Sequence, residues 1–176
     1  MLFRSRKELT LMEIKTKLNG GFLPTKATPN DAAYDVYAPE NIELKRGRQV
    51  INLKFSIELP HGYAAIIQPR SGFSAKGMLV QAMSRKWWLW LLGIFSKEKR
   101  VDADVLIGLI DEKYRGNVGV IIKSNYHSIL RKAIIPSGTR IAQMRIVAVP
   151  ETELVSAEEL DMTDNRGGGF GHTGTN

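Results

Sequence analysis

Short apolar runs alternating with polar positions recur along the chain, and turn residues (Gly, Pro, Asn, Asp) separate them. Met12 to Leu18, Ile42 to Leu44, Gln49 to Leu59, Tyr63 to Gln68, Val118 to Lys123 and Arg140 to Val149 each read as strand. Between Asn52 and Leu59 the alternation is strict, so Leu53, Phe55, Ile57 and Leu59 are expected to face one core. A short helix is expected around Phe73 to Lys76, after the turn Pro69 to Gly72. Gly108 to Ile122 reads as a β-hairpin whose turn carries an acid, an aromatic and glycines. The pattern predicts an all-β barrel or sandwich.

With 176 residues, one domain is expected. Its 43% hydrophobic and 24% charged content suggests neither wholesale disorder nor a membrane-spanning architecture. A net charge of +7 suits an anionic partner without naming one. There is no cysteine, hence no disulfide or thiolate metal site, and His61, His127 and His172 lack zinc-ligand spacing. Met1 to Leu11 is basic but has no secretory core; it reads as a flexible extension, with Met12 an alternative start.

Three stretches carry candidate chemistry. Gln68 to Phe73 presents an arginine, a hydroxyl and a glycine amide on a proline-fixed turn, which suits phosphate oxygens; taken alone, the segment reads rather as a plain turn with an Arg surface pair. Asp111 in the hairpin turn suits activation of a water, although a turn-stabilising Asp is the commoner role. The tail from Arg166 to Gly174 pairs a cation with a run of backbone N–H groups, Phe170 and Thr173, a combination able to grip a triphosphate and a base.

Taken in order, these pieces resemble the five motifs of the trimeric dUTPase family. Ala27 and Thr28 with Asp31 to Ala38 look like the first, Pro69 to Gly72 the second, Gly108 to Gly119 the third, Gly138 to Met144 the fourth and Arg166 to Gly174 the fifth. The resemblance implies a dUTPase-like distorted β-barrel, jelly-roll-like, spanning residues 12–160. It further implies a homotrimer whose C-terminal tail, residues 161–176, is exchanged between subunits. It implies hydrolysis of dUTP to dUMP and pyrophosphate with Mg²⁺, which keeps uracil out of DNA and supplies dUMP for dTMP synthesis.

By the same resemblance Asp111 activates the water that attacks the α-phosphorus. Gly108, Leu109, Ile110 and Gly119 form the uracil site, where a 5-methyl would not fit, and Tyr114 packs under the deoxyribose. Arg70, Ser71, Gly72 and Gln143 take phosphate oxygens; Arg166, Gly171 and Thr173 hold the far phosphates and Phe170 covers the base. Asp35 reaches Mg²⁺ through a water, the ion being held mainly by the triphosphate. The chain departs from the family at four places: Arg166 and Phe170 are four residues apart rather than five, and Ala33, Lys113 and Thr139 replace a glycine and two acids.

Residues 81–103 form an insertion that the family does not explain, and it holds all three tryptophans, Trp87, Trp88 and Trp90. Ser84 to Val101 carries five bases against one acid, a net +4 of the chain's +7. The apolar run Trp87 to Phe95 is too short to cross a bilayer, which needs about 20 residues. Its composition matches interfacial anchors and protein-binding patches, while packing back onto the trimer weighs slightly ahead. Two alternatives follow: a dCTP deaminase of the same fold, and a dUTPase-fold regulator that binds proteins through the insertion. A cytoplasmic location, in the host cytoplasm for a phage-encoded chain, and no stable nucleic-acid binding are expected.

Overall fold

The computed structural model describes residues 11–84, 97–128 and 131–161. The expectations for the N-terminal extension, the tryptophan run and the tail residues Arg166, Phe170, Gly171 and Thr173 lie outside the described residues. Described elements are β1 (Lys15–Leu18), β2 (Tyr34–Tyr37), β3 (Ile42–Leu44), β4 (Gly47–Asn52), β5 (Phe55–Glu58), β6 (Tyr63–Gln68), α1 (Ser71–Lys76), β7 (Met78–Ser84), β8 (Lys97–Val101), β9 (Ala103–Leu106), β10 (Gly108–Ile110), β11 (Gly119–Ser124), β12 (Arg131–Ile135) and β13 (Arg140–Ala148). All pairings are antiparallel, in four sheets ordered β1-β5, β10-β6-β13-β2, β4-β11-β9 and β3-β12-β7-β8. Together they enclose one apolar cluster that includes Val36, Phe55, Ile67, Met78, Ile122 and Ile135.

The alternation expected from Leu53 to Leu59 holds: Leu53, Phe55, Ile57 and Leu59 are all buried. The single strand expected from Gln49 to Leu59 is instead two strands in two sheets. The break is at Lys54, whose φ of 56° lies in the left-handed region. Asn52 Oδ1 accepts the Lys54 N–H at 2.8 Å, and the Lys54 carbonyl accepts the N–H groups of Asn19 and Gly21. A Cβ on Gly21 would sit 2.1 Å from the Leu53 carbonyl oxygen, so this close backbone approach admits only glycine.

A second correction concerns Gly108 to Ile122, whose two limbs do not form a continuous ladder. β9 pairs with β11, Leu106 opposite Ile121. The chain then leaves that sheet at Ile107, and β10 pairs with β6, Gly108 opposite Ile67. The hairpin is thus zipped at its base and splayed at its tip, each limb joined to a different sheet. The expected helix is present as α1, anchored by buried Phe73 and ended at Gly77, whose N–H returns to the Phe73 carbonyl.

A register shift in β13 between Arg140 and Ala142 is a β-bulge. It accounts for the consecutive burial of Ile141 and Ala142, which a regular strand would place on opposite faces. The insertion leaves the barrel through an antiparallel stem, with Met78 opposite Val101 and Ala82 opposite Lys97. β8 is the edge of its sheet, so the insertion departs from the rim of the fold.

Candidate active site

The splay between β10 and β11 opens a cavity of about 300 Å³, lined by Val50, Ile67, Leu106, Gly108, Leu109, Ile110, Asp111, Tyr114, Val118, Gly119 and Ile121. All six expected base, sugar and water-activating residues of the third motif therefore share one pocket. Its walls are apolar except at Asp111 and where the backbone of β10 shows. Because β10 is an edge strand, the side away from β6 carries backbone N–H and C=O groups that the sheet leaves unpaired. An apolar slot edged by fixed backbone donors and acceptors suits a flat heterocycle with its own hydrogen-bonding edge. Gly119 admits the ring: a Cβ there would point at Val50, 3.3 Å from its Cγ1.

Asp111 directly follows β10 at the rim and is exposed, and no described residue donates a hydrogen bond to its carboxylate. A carboxylate with free oxygens beside an apolar slot can accept a proton from a water lying against a bound ligand. The turn behind it is held by the Tyr114 N–H, which donates to the Asp111 carbonyl at 3.0 Å. The Tyr114 hydroxyl donates to the Asn117 carbonyl at 2.8 Å, laying the ring along the turn. Gly116 makes that possible, since a Cβ there would lie 2.5 Å from the Tyr114 hydroxyl oxygen.

Two of the residues expected to take phosphate, Arg70 and Gln143, gather separately, around Asp35. This carboxylate is 6% exposed and accepts from three side chains: Arg70 Nε at 3.0 Å and Gln143 Nε2 at 3.3 Å on Oδ1, and Arg140 Nη1 at 3.2 Å on Oδ2. A cross-strand row places Asp35 opposite Gln143 and Gln143 opposite Gln68, two residues before Arg70. The bulge is what lets Arg140 join. Residues 140 and 143 are an odd number apart and would face opposite sides of a regular strand; the extra residue turns both toward Asp35. Buried Asp35 thereby aligns two cationic forks and an amide while cancelling only part of their charge.

Ser71 and Gly72 occupy the first turn of α1, exposed, next to Arg70. None of the residues expected to take phosphate, Arg70, Ser71, Gly72 or Gln143, lines the cavity. Among the described residues no cluster of three or more His, Asp or Glu side chains could hold a metal. Of the roughly four lone-pair sites on the Asp35 carboxylate, three are used.

Three features were not singled out from sequence. Arg140 completes the Asp35 cluster only because of the bulge. Val50, from β4, walls the pocket from a neighbouring sheet, which no local pattern announces. Glu112, adjacent to Asp111, reaches the β5–β6 turn fifty residues away. Its acidity is increased chiefly by the Gly62 N–H it accepts, burial opposing this and His61 adding to it.

Comparison with known proteins places this geometry. The model of the dUTPase family matches residues 21–94 and 96–174. Deoxyuridine 5'-triphosphate nucleotidohydrolase of cowpox virus is 33% identical over 152 residues, 86% of this chain and 84% of that protein. The enzyme of the same name from Oryza sativa subsp. japonica is 33% identical over 169 residues, 96% of this chain and 83% of its own. That of Hydrogenobaculum is 34% identical over 154 residues, covering 86% and 90%. Among solved structures, a dUTPase of Staphylococcus bacteriophage 80alpha with dUpNHpp superposes with a TM-score of 0.69 at 23% identity, covering 93% of this chain and 99% of that one. The dUTPase from phage phi11 of S. aureus, described with a structural Mg(II) ion, gives 0.64 at 23% identity over 84% and 98%. An edge-strand pocket rimmed by an aspartate, a buried carboxylate aligning phosphate-side donors, and sequence agreement across nearly the whole chain converge: the chain belongs to the dUTPase family.

Proposed function

We propose that this chain hydrolyses dUTP to dUMP and pyrophosphate. The observation that carries the reading is the splayed hairpin, which puts an apolar, backbone-edged slot, Tyr114 and the free carboxylate of Asp111 into one cavity. Uracil enters the slot against the edge of β10, with Val50 and Gly119 opposite and Tyr114 beneath the sugar. Asp111 accepts a proton from the attacking water as that water closes on the α-phosphorus in line with the pyrophosphate leaving group. Arg70, Ser71, Gly72 and Gln143 receive phosphate oxygens, with Arg166, Phe170, Gly171 and Thr173 of the tail completing the grip.

Magnesium fits as an ion that arrives on the triphosphate. It keeps phosphate and water ligands rather than needing a protein cage, and the spare lone-pair site on Asp35 can take one such water. Bound there, it would draw charge from the phosphate oxygens. A dCTP deaminase is disfavoured, because no glutamate lines the described pocket.

The separation of the base cavity from the Asp35 cluster supports a homotrimer in which one subunit's pocket meets another's phosphate donors. So does the segment after β13, where Leu154, Val155 and Leu160 are 100%, 77% and 78% exposed in the single chain. Incubation with dUTP, dCTP and dTTP plus Mg²⁺, following pyrophosphate and ammonia, tests the activity. Pyrophosphate from dUTP alone, abolished in Asp111→Asn, is expected; ammonia from dCTP, or unchanged turnover in the variant, overturns the reading.

A second role rests on the insertion. Its described stem continues the rim strands β7 and β8, with basic Lys99 and Arg100 exposed on the edge. In sequence Trp87, Trp88 and Trp90 fall between those two strands, a composition suited to a protein or membrane surface. Phage dUTPases, that of Staphylococcus bacteriophage 80alpha among them, are described as controlling transfer of virulence genes, so a role beyond hydrolysis has a counterpart among structural relatives. Deleting residues 84–99 should then weaken liposome or partner binding while dUTP turnover persists; unchanged liposome binding and oligomer size would remove the proposal.

A further inference from the structure

Asp111 stands at the end of a three-residue strand, and β10 fixes the chain only as far as Ile110. Where the carboxylate points therefore depends on what holds the residues that follow. The first of them, Glu112, reaches across to the β5–β6 turn. Its Oε2 accepts the Gly62 N–H at 3.0 Å and lies 3.0 Å from His61 Nδ1. The same turn is tied on its far side, the Gly62 carbonyl accepting the Val149 N–H at 2.7 Å just after β13. Around Asp111 the remaining bonds are internal to the turn: Tyr114 to the Asp111 carbonyl, and the Arg115 guanidinium to the carbonyls of Glu112 and Tyr114. Those bonds shape the turn without placing it. The far end of the turn is fixed separately, Asn117 Oδ1 accepting from Asn19 Nδ2 at 2.7 Å and from Ser56 Oγ at 3.2 Å; on the Asp111 side, Glu112 is the side chain among the described residues that ties the turn to another element.

We infer that Glu112 is a positioning residue: its carboxylate anchors the Asp111 turn to the Gly62 amide and so sets the water-activating carboxylate against the α-phosphorus. The inference rests on the dUTP hydrolysis proposed above. The tether acts on the rim alone. The base-reading edge of β10 is held by its own ladder to β6, from Gly108 opposite Ile67 to Ile110 opposite Ala65. Losing Glu112 should leave nucleotide binding intact and misplace the attacking geometry. A shift of about 1 Å can cost on the order of a hundredfold in rate. Glutamine keeps an oxygen acceptor at the same reach; aspartate keeps the charge but falls one methylene short.

Steady-state kinetics on full-length Glu112→Ala, Glu112→Gln and Glu112→Asp test this, with wild type and Asp111→Asn alongside. Expected are a kcat lowered by about tenfold or more in Glu112→Ala, an unchanged KM and thermal midpoint, the same kcat loss in Glu112→Asp, and recovery in Glu112→Gln. Wild-type kcat in the alanine or aspartate variant, a rise in KM matching the fall in kcat, or no recovery in glutamine overturns the inference. Should the alanine variant fail to fold, the aspartate and glutamine pair decides it. A wild type that releases no pyrophosphate from dUTP sinks the hydrolase reading itself, whereas active wild type with indifferent Glu112 variants sinks only the positioning role.

Discussion

At residue scale, two backbone positions show how tightly local conformation is tied to the site. Gly116 has a hydrogen where any other residue would put a carbon against the Tyr114 hydroxyl. Gly116→Ala should displace the ring, break its bond to the Asn117 carbonyl and loosen the platform proposed for the sugar. Discrimination between dUTP and UTP, measured as the ratio of kcat/KM, should fall by about tenfold, the equivalent of one hydrogen bond of about 1.4 kcal/mol. Lys54 is the opposite case, a side chain where glycine would be easier. Its left-handed φ costs an L-residue roughly 1–2 kcal/mol. It is partly repaid by an exposed ion pair from its ammonium to Glu40 at 2.8 Å, itself worth little. Lys54→Gly should be neutral to stabilising by up to about 1 kcal/mol in urea unfolding, whereas a clear loss would show that Glu40 matters more than the backbone.

At the scale of elements, the bulge in β13 and the splay at Ile107 do for the two halves of the site what side-chain choice alone does not. The bulge turns Arg140 and Gln143 toward one buried carboxylate. Asp35→Asn removes the charge that orients three donors and leaves two guanidiniums against a neutral amide. Hydrogen bonds to a charged group contribute about 1.5–3 kcal/mol each, not additively. The variant should lose about 2 kcal/mol of stability, roughly 4–8 °C in thermal midpoint for a chain of this size. Its KM for dUTP should rise as Arg70 and Gln143 lose their alignment. An unchanged midpoint would mean that the cluster is dispensable to folding, and an unchanged KM that it does not serve the phosphates.

For the whole molecule, charge and assembly are the governing quantities. The chain carries +7 against a substrate of several negative charges, and such attraction is screened over about 8 Å at 0.15 M salt and about 3 Å at 1 M. The kcat/KM for dUTP should therefore fall steadily as KCl is raised, with kcat at saturating substrate little affected; a flat kcat/KM would place the useful charge in short, desolvated contacts instead. On the trimer reading proposed above, assembly would bring together the pocket and the donors around Asp35 that one chain holds apart, and would offer cover to the exposed Leu154, Val155 and Leu160 after β13.

By itself the sequence determined the strand character of the chain, the burial of Leu53, Phe55, Ile57 and Leu59, and the identity of the chemical groups in the third motif. These are properties of a period of two and of residue type, both readable within a few positions. Only the tertiary structure decided that Gln49 to Leu59 breaks at Lys54, that the two limbs from Gly108 to Ile122 join different sheets and open the cavity, that a bulge recruits Arg140 to Asp35, and that Glu112 finds Gly62. Each depends on backbone registers between strands tens of residues apart, and antiparallel pairing leaves no local mark of which strand will lie alongside which.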